Sequence, residues 1–262
     1  MSEEQLVLTE VKGHVGIMTF NRPKVLHAID LPMLAAIEAA MDKLEADPQV
    51  RVIIVTGGGD KAFMAGGDIP GLNTRRALDH YWQFAGTVHK SIRRFEDSDK
   101  PNIAAINGYA FGGGMELLLA TDIRLMADTA KIGLTEIVLG LFPGGGGSQR
   151  LPRQISKCRA NEMMFTGEHI DAHEAARLGV VNRAVPKAEL MNEAMKLAEK
   201  IAEKSPMVLA FLKRASRDGL DMTLPSALAH ERAMISLVFD TEDAHEGCSA
   251  FSEKRKAVFK GK

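Results

Sequence analysis

The sequence predicts an α/β core followed by an all-helical C-terminal region. Two features predict the core: short apolar runs that end in glycines, and segments of helical periodicity alternating with them. A third predicts the appendage, because only helical stripes recur from about residue 188 onward.

Leu6–Thr9 and Val15–Phe20 alternate apolar with other residues around Lys12-Gly13, the pattern of a hairpin. After Asn21-Arg22-Pro23, Asp30 can cap a helix, on whose single face Leu34, Ile37, Met41 and Leu44 then fall. Val52–Val55 is a continuous apolar run, as in a buried strand, and feeds Thr56-Gly57-Gly58-Gly59. A loop is expected over Phe63–Gly67 and a polar helix from Arg75 to Glu96. Ile103–Ile106 is a second short strand, again ending in a glycine loop that opens a helix. Leu190, Ala194, Leu197 and Ile201 form one late stripe; Leu224, Leu228, Ile235 and Val238 form another. The expected division is a core over 1–190 and a helical region over 191–262.

A chain of 262 residues with 45% hydrophobic and 26% charged residues has the balance of a soluble globular protein. The formal net charge of -1 supplies no overall field for nucleic acid or an anionic membrane. Cys158 and Cys248 are too few for a disulfide framework and do not form a CxxC pair. No run approaches the ~20 apolar residues of a membrane span. The acidic start, Met1-Ser2-Glu3-Glu4, lacks the basic and apolar regions of a secretion signal. The expected location is cytoplasmic, or the mitochondrial matrix for a processed eukaryotic chain.

Gly57–Ala62 fits the loose GxGxxA nucleotide fingerprint, but the next residues, Phe63–Gly67, read as loop rather than helix, so a tight turn is the better reading. Gly112-Gly113-Gly114 differs, because an apolar helix comes directly after it. Backbone N–H groups at such a junction are unpaired and favour anions, an oxyanion-stabilising device made without side chains. Glu116 sits next among apolar residues, and Glu136 lies in the equally apolar Gly133–Leu139. Taken singly, Glu116 also fits a charge at a helix N-terminus, and Glu136 a structural ion pair. Together beside the glycine loop they suggest an acid and a base whose pKa values burial and mutual repulsion push apart.

Rival constellations are incomplete. His173-Glu174 and His230-Glu231 lack the second histidine of HExxH, and Ser148 does not complete GxSxG. No metal site is expected.

Several ordered segments resemble the crotonase, or enoyl-CoA hydratase/isomerase, family. They are Asn21-Arg22-Pro23, Lys61–Ile69, Ala105–Leu117, Glu136–Gly140, Pro143–Leu151, Thr166-Gly167, Ala175–Val181 and Glu246–Arg255. The resemblance implies a crotonase-type spiral of ββα units with a C-terminal helical region that builds homotrimers, commonly paired to homohexamers. It implies an acyl-CoA substrate, with coenzyme A part of that substrate and no separate cofactor.

The resemblance also assigns roles. The N–H groups of Gly67 and Gly113 would form the oxyanion hole for the thioester carbonyl, and Gly144 would help place water. Ala65, Gly66, Asp68 and Ile69 would lie along coenzyme A, as would Phe251 and Lys254, often on an adjacent subunit's ligand. Glutamate at both catalytic positions is the hydratase pattern, with Glu116 activating water and Glu136 protonating C2. A hydroxyacyl- or carnitinyl-CoA dehydratase and an enoyl-CoA isomerase are the nearest alternatives. Some relatives bind RNA, which the near-neutral charge argues against here. Two departures stand out: His27 where the family usually has asparagine, and Gly67 where alanine is commoner.

Overall fold

The computed structural model describes residues 5–262, so the acidic opening Met1–Glu4 lies outside the described residues. β1 (Val7–Lys12) and β2 (Val15–Phe20) pair antiparallel as the hairpin expected around Lys12-Gly13. α1 (Leu31–Ala46) begins where the Asp30 carboxylate accepts from the Met33 N–H at 2.8 Å. Its stripe of Leu34, Ile37, Met41 and Leu44 is buried.

β3 (Val52–Gly57) is buried along its whole length. The loop expected over Phe63–Gly67 instead begins inside β4 (Ala62–Met64), a strand too short for its period to register in sequence. α2 (Ile69–Asn73) comes before the polar helix expected from Arg75 to Glu96, and that helix forms over 77–97. It runs without interruption through α3 (Ala77–Asp79), a π-helical turn over His80–Ala85 and α4 (Gly86–Asp97). Arg76 is extended (φ -111°, ψ 159°), which separates α2 from α3.

β5 (Asn102–Ile106) does not lead straight into a helix, because β6 (Tyr109–Phe111) intervenes before α5 (Gly113–Leu118). β7 (Ile123–Ala127) and β8 (Lys131–Gly133) come next, then a 3-10 turn over Glu136–Leu139, α6 (Gly147–Gln154) and α7 (Lys157–Thr166).

β3–β4, β5–β6 and β7–β8 each place one strand in a large sheet and the next in a small one, with helix after each pair. This is the expected spiral of ββα units. The large sheet has the order β1-β2-β3-β5-β7-β10, parallel except at β1, where β10 is Arg183–Val185. The small sheet runs β4-β6-β8-β9, where β9 is Ile170–Asp171. The buried Asn107 amide bonds to both Gly57 and Gly59 backbones, locking the first turn of the spiral to the second. α5 sits directly on β4, since a Cβ at Gly114 would overlap the Met64 carbonyl. The two glycine loops after β4 and β6 are thereby held side by side.

After β9 come α8 (Ala172–Arg177), then α9 (Leu190–Ala202), α10 (Pro206–Gly219), α11 (Leu224–Val238) and α12 (Glu242–Ser252). α9 packs across β2, β3, β5 and β7 with Ala194 and Ala198 fully buried. α10 is tied to the core by Lys213, whose Nζ donates to Asp122 and to the Phe95 carbonyl, both at 2.8 Å. The α11 stripe behaves differently. Val238 is buried, whereas Leu224, Leu228 and Ile235 are exposed. Among the described residues no helix is long and apolar enough to cross a membrane.

Candidate active site

A cavity of about 360 Å³ opens between the glycine loops and the helices α2 to α4. Gly67, Gly113, Gly144 and Gly145 line it together with Glu116 and Glu136. Leu72, Phe84, Ala85 and Val88 provide an apolar wall. The Arg75 guanidinium lies over the outer wall residue Phe84, 3.9 Å from its ring centroid.

Glu116 occupies the first turn of α5, buried among Met115, Leu117 and Leu118. Its Oε1 accepts two hydrogen bonds, from the Gly145 N–H at 2.7 Å and the Gly147 N–H at 2.8 Å. Oε2 accepts none from the described residues. Burial pushes this carboxyl's pKa up, opposed by the two N–H donors and by Arg150 and His89. Those donors favour the ionised form, because a carboxylate is the stronger acceptor.

Glu136 opens the 3-10 turn after β8. Both its carboxyl oxygens are buried, with no hydrogen-bond partner among the described residues. The ion pair that a structural role would require is therefore missing. A Cβ on Gly112 would lie 3.3 Å from Oε1, so the carboxyl rests directly against the glycine loop. Burial, then the charge of Glu116, push its pKa up to about 7. The two glutamates thus share a cavity but not an environment.

The loop amides complete the arrangement. The isolated bridge between Ile29 and Gly67 uses the Gly66 carbonyl and the Asp68 N–H, which leaves the Gly67 N–H without an acceptor among the described residues. Gly113 is the first residue of α5, and its N–H likewise has no acceptor among the described residues. Gly66 and Gly113 are close neighbours: a Cβ on Gly66 would lie 3.8 Å from the Gly113 nitrogen. Two free donors and two dissimilar carboxyls converge on one apolar-walled space. Such an arrangement can polarise a carbonyl while moving a proton on and another off.

A family model described as Enoyl-CoA hydratase/isomerase matches residues 10–262. The chain belongs to the enoyl-CoA hydratase/isomerase family. It is 38% identical to a short-chain-enoyl-CoA hydratase of Clostridium acetobutylicum, with 95% of each chain covered. It is also 38% identical to a crotonyl-CoA hydratase of Syntrophomonas wolfei over 99% of both. The crystal structure of an enoyl-CoA hydratase from Bacillus anthracis superposes with a TM-score of 0.94 at 36% identity, covering 98% of this chain and 100% of that one.

The structure brings five of the family-inferred positions to the cavity wall: Gly67, Gly113, Glu116, Glu136 and Gly144. The others lie apart from it. The Ala65 N–H donates to the Leu26 carbonyl, and the Asp68 carboxylate caps α2 by accepting from the Gly71 N–H at 3.0 Å. Gly66 is buried in the loop, and Ile69 is exposed. Phe251 is 86% exposed at the end of α12, and Lys254 lies just beyond it with a left-handed φ of 56°. Neither lines the cavity of its own chain. Among the described residues no group of three or more His, Cys, Asp or Glu side chains is placed to hold a metal ion.

His27, the departure from the family's asparagine, is fully buried at φ 59°. Its Nδ1 accepts from the Arg22 N–H and its Nε2–H donates to the Gly58 carbonyl, both at 3.0 Å. Burial, the larger cause, lowers its pKa, so the ring is neutral and backbone contacts fix its tautomer. Sequence reasoning missed the donors Gly145 and Gly147, and the groups behind them, Arg150 and His89. The residue types of Arg150 and His89 alone carried no signal, since helix faces are ordinarily polar.

Proposed function

We propose that this protein hydrates a trans-2-enoyl-CoA, adding water across C2=C3, with Glu116 as base and Glu136 as acid. The observation that carries this reading is the asymmetry of the pair. Burial raises the pKa of both, but Glu116 Oε1 takes two backbone N–H donors that favour its ionised form, whereas Glu136 has no partner among the described residues. An ionised base and a protonated acid in one cavity are what addition of water requires.

The thioester carbonyl binds the Gly67 and Gly113 N–H groups, which stabilise the enolate oxygen as charge develops there. One such donor is typically worth ~10²–10³ in rate. Water attacks C3 while Glu116 Oε2, its free oxygen, takes the water proton, and Gly144 helps place the water. The enolate collapses as Glu136 delivers its proton to C2. Water then restores both glutamates through their exchange with solvent. Dehydration is the same path reversed.

Coenzyme A enters as part of the substrate, along Ala65, Gly66, Asp68 and Ile69. Phe251 and Lys254 serve a neighbouring copy's ligand, a reading supported by their absence from their own chain's cavity lining and by the exposed α11 stripe. That stripe also supports assembly to trimers or hexamers.

The test measures loss of enoyl-thioester absorbance with crotonyl-CoA. Glu116→Gln and Glu136→Gln should each lower turnover by ~10²–10⁴. A near wild-type rate for either variant removes that residue from its role. A 3-enoyl-CoA converted faster than any 2-enoyl-CoA is hydrated would make the protein an isomerase instead.

A further inference from the structure

Behind the Glu116 carboxylate lies a second layer that the reaction scheme does not use. The Gly145 N–H that donates to Glu116 Oε1 belongs to the peptide group whose carbonyl is that of Gly144. That carbonyl accepts a 2.6 Å hydrogen bond from His89 Nε2 on α4. His89, the Gly144–Gly145 peptide and Glu116 thus form one continuous chain of donors and acceptors. Arg150 holds the next carbonyl, that of Gly145, at 3.2 Å and is itself gripped by both oxygens of Glu96 at 2.7 Å.

The peptide needs such a hold. Gly145 cannot carry a side chain, because a Cβ there would overlap Glu116 Oε2. At Gly144 a Cβ would meet nothing closer than the Phe142 carbonyl at 3.7 Å. A peptide between two glycines rotates with little steric resistance. Rotation would turn the Gly145 N–H away from Glu116 and a carbonyl dipole toward it, which disfavours the carboxylate.

We propose that His89 is a positioning residue for the reaction, holding the Gly144–Gly145 peptide so that its N–H keeps Glu116 Oε1 engaged and Oε2 free for water. His89 does not line the cavity. The proposal rests on Glu116 being the base.

The experiment compares His89→Ala, His89→Gln, Glu116→Gln and the His89→Ala/Glu116→Gln double variant of the full chain on crotonyl-CoA. His89 is an exposed side chain, so folding should be retained, checked by an unchanged thermal unfolding midpoint. The Ala variant is expected to lose about tenfold in kcat with KM unchanged, the scale of one well-made hydrogen bond. Gln offers an N–H at similar reach and should recover most of that loss. In the Glu116→Gln background the Ala change should add nothing, because the group it acts through is already gone. Wild-type kcat in His89→Ala overturns the proposal, as does an equal loss in both backgrounds. Near wild-type activity of Glu116→Gln alone overturns the proposed role of Glu116, and only then does the inference fall for that reason.

Discussion

Glu136 is a carboxyl group with both oxygens buried and unpartnered among the described residues, a state that favours the neutral acid. With the pKa raised to about 7, hydration in which Glu136 is the acid should fall as pH rises through about 7. The kcat/KM profile for crotonyl-CoA checks this, and a flat profile from pH 6 to 9 would contradict it. The same shift links to stability. The folded-state value lies above the ordinary 4.5, so the folded protein holds its proton more tightly. That contribution is full below about 4.5 and is lost as pH rises to about 7, by about 3 kcal/mol at most. Glu136→Gln, neutral and of the same shape, should therefore gain stability over wild type at pH 8 but not at pH 4.5. Urea unfolding at the two pH values measures it, and a pH-independent difference would sink the assignment.

At the scale of elements, the site is made by backbone approaching side chain and backbone. The loop before α6 wraps the Glu116 carboxylate so closely that Gly145→Ala should displace it. Turnover is expected to fall by at least tenfold with the protein still folded, since the loop lies at the cavity rather than in the core. Circular dichroism with the crotonyl-CoA assay decides. The opposite wall comes from α2 and from the continuous helix of α3, the π-turn and α4. Such π-turns often occur at functional sites, and this one carries Phe84 and Ala85 into the cavity lining. Ala85→Phe should fill part of the space and lower kcat/KM for longer enoyl-CoAs more than for crotonyl-CoA. An equal loss on all chain lengths would show that Ala85 does not face the acyl group.

For the whole molecule, the outstanding feature is α11, whose Leu224, Leu228 and Ile235 are exposed together on a helix near the end of the chain. A row of large apolar side chains in water favours burial against another surface. Sedimentation is expected to give a mass several times the 28.5 kDa of one chain. Leu228→Glu should shift it toward the single-chain mass by placing a charge in that contact. A wild-type protein that sediments as one chain would refute this.

The sequence by itself determined the features that depend on neighbours a few residues apart. Asp30 at the start of α1, the buried run of β3 and the late helices were legible because capping and periodicity are local. Glu116 and Glu136 were legible as carboxylates in apolar surroundings, and the glycine loops as sources of free N–H groups. β4 and β6, at three residues each, were too short to show a period, and the π-turn over His80–Ala85 lies inside a helix whose residue types do not mark it. Only the tertiary structure decided what each glutamate meets. The donors on Glu116 lie 29 and 31 residues away in sequence, and His89 reaches across 55 to Gly144. Ionisation depends on such distant partners and on burial, neither of which residue type records. Two glutamates alike in sequence therefore became one carboxyl pinned by two amides and another that none of the described residues partners.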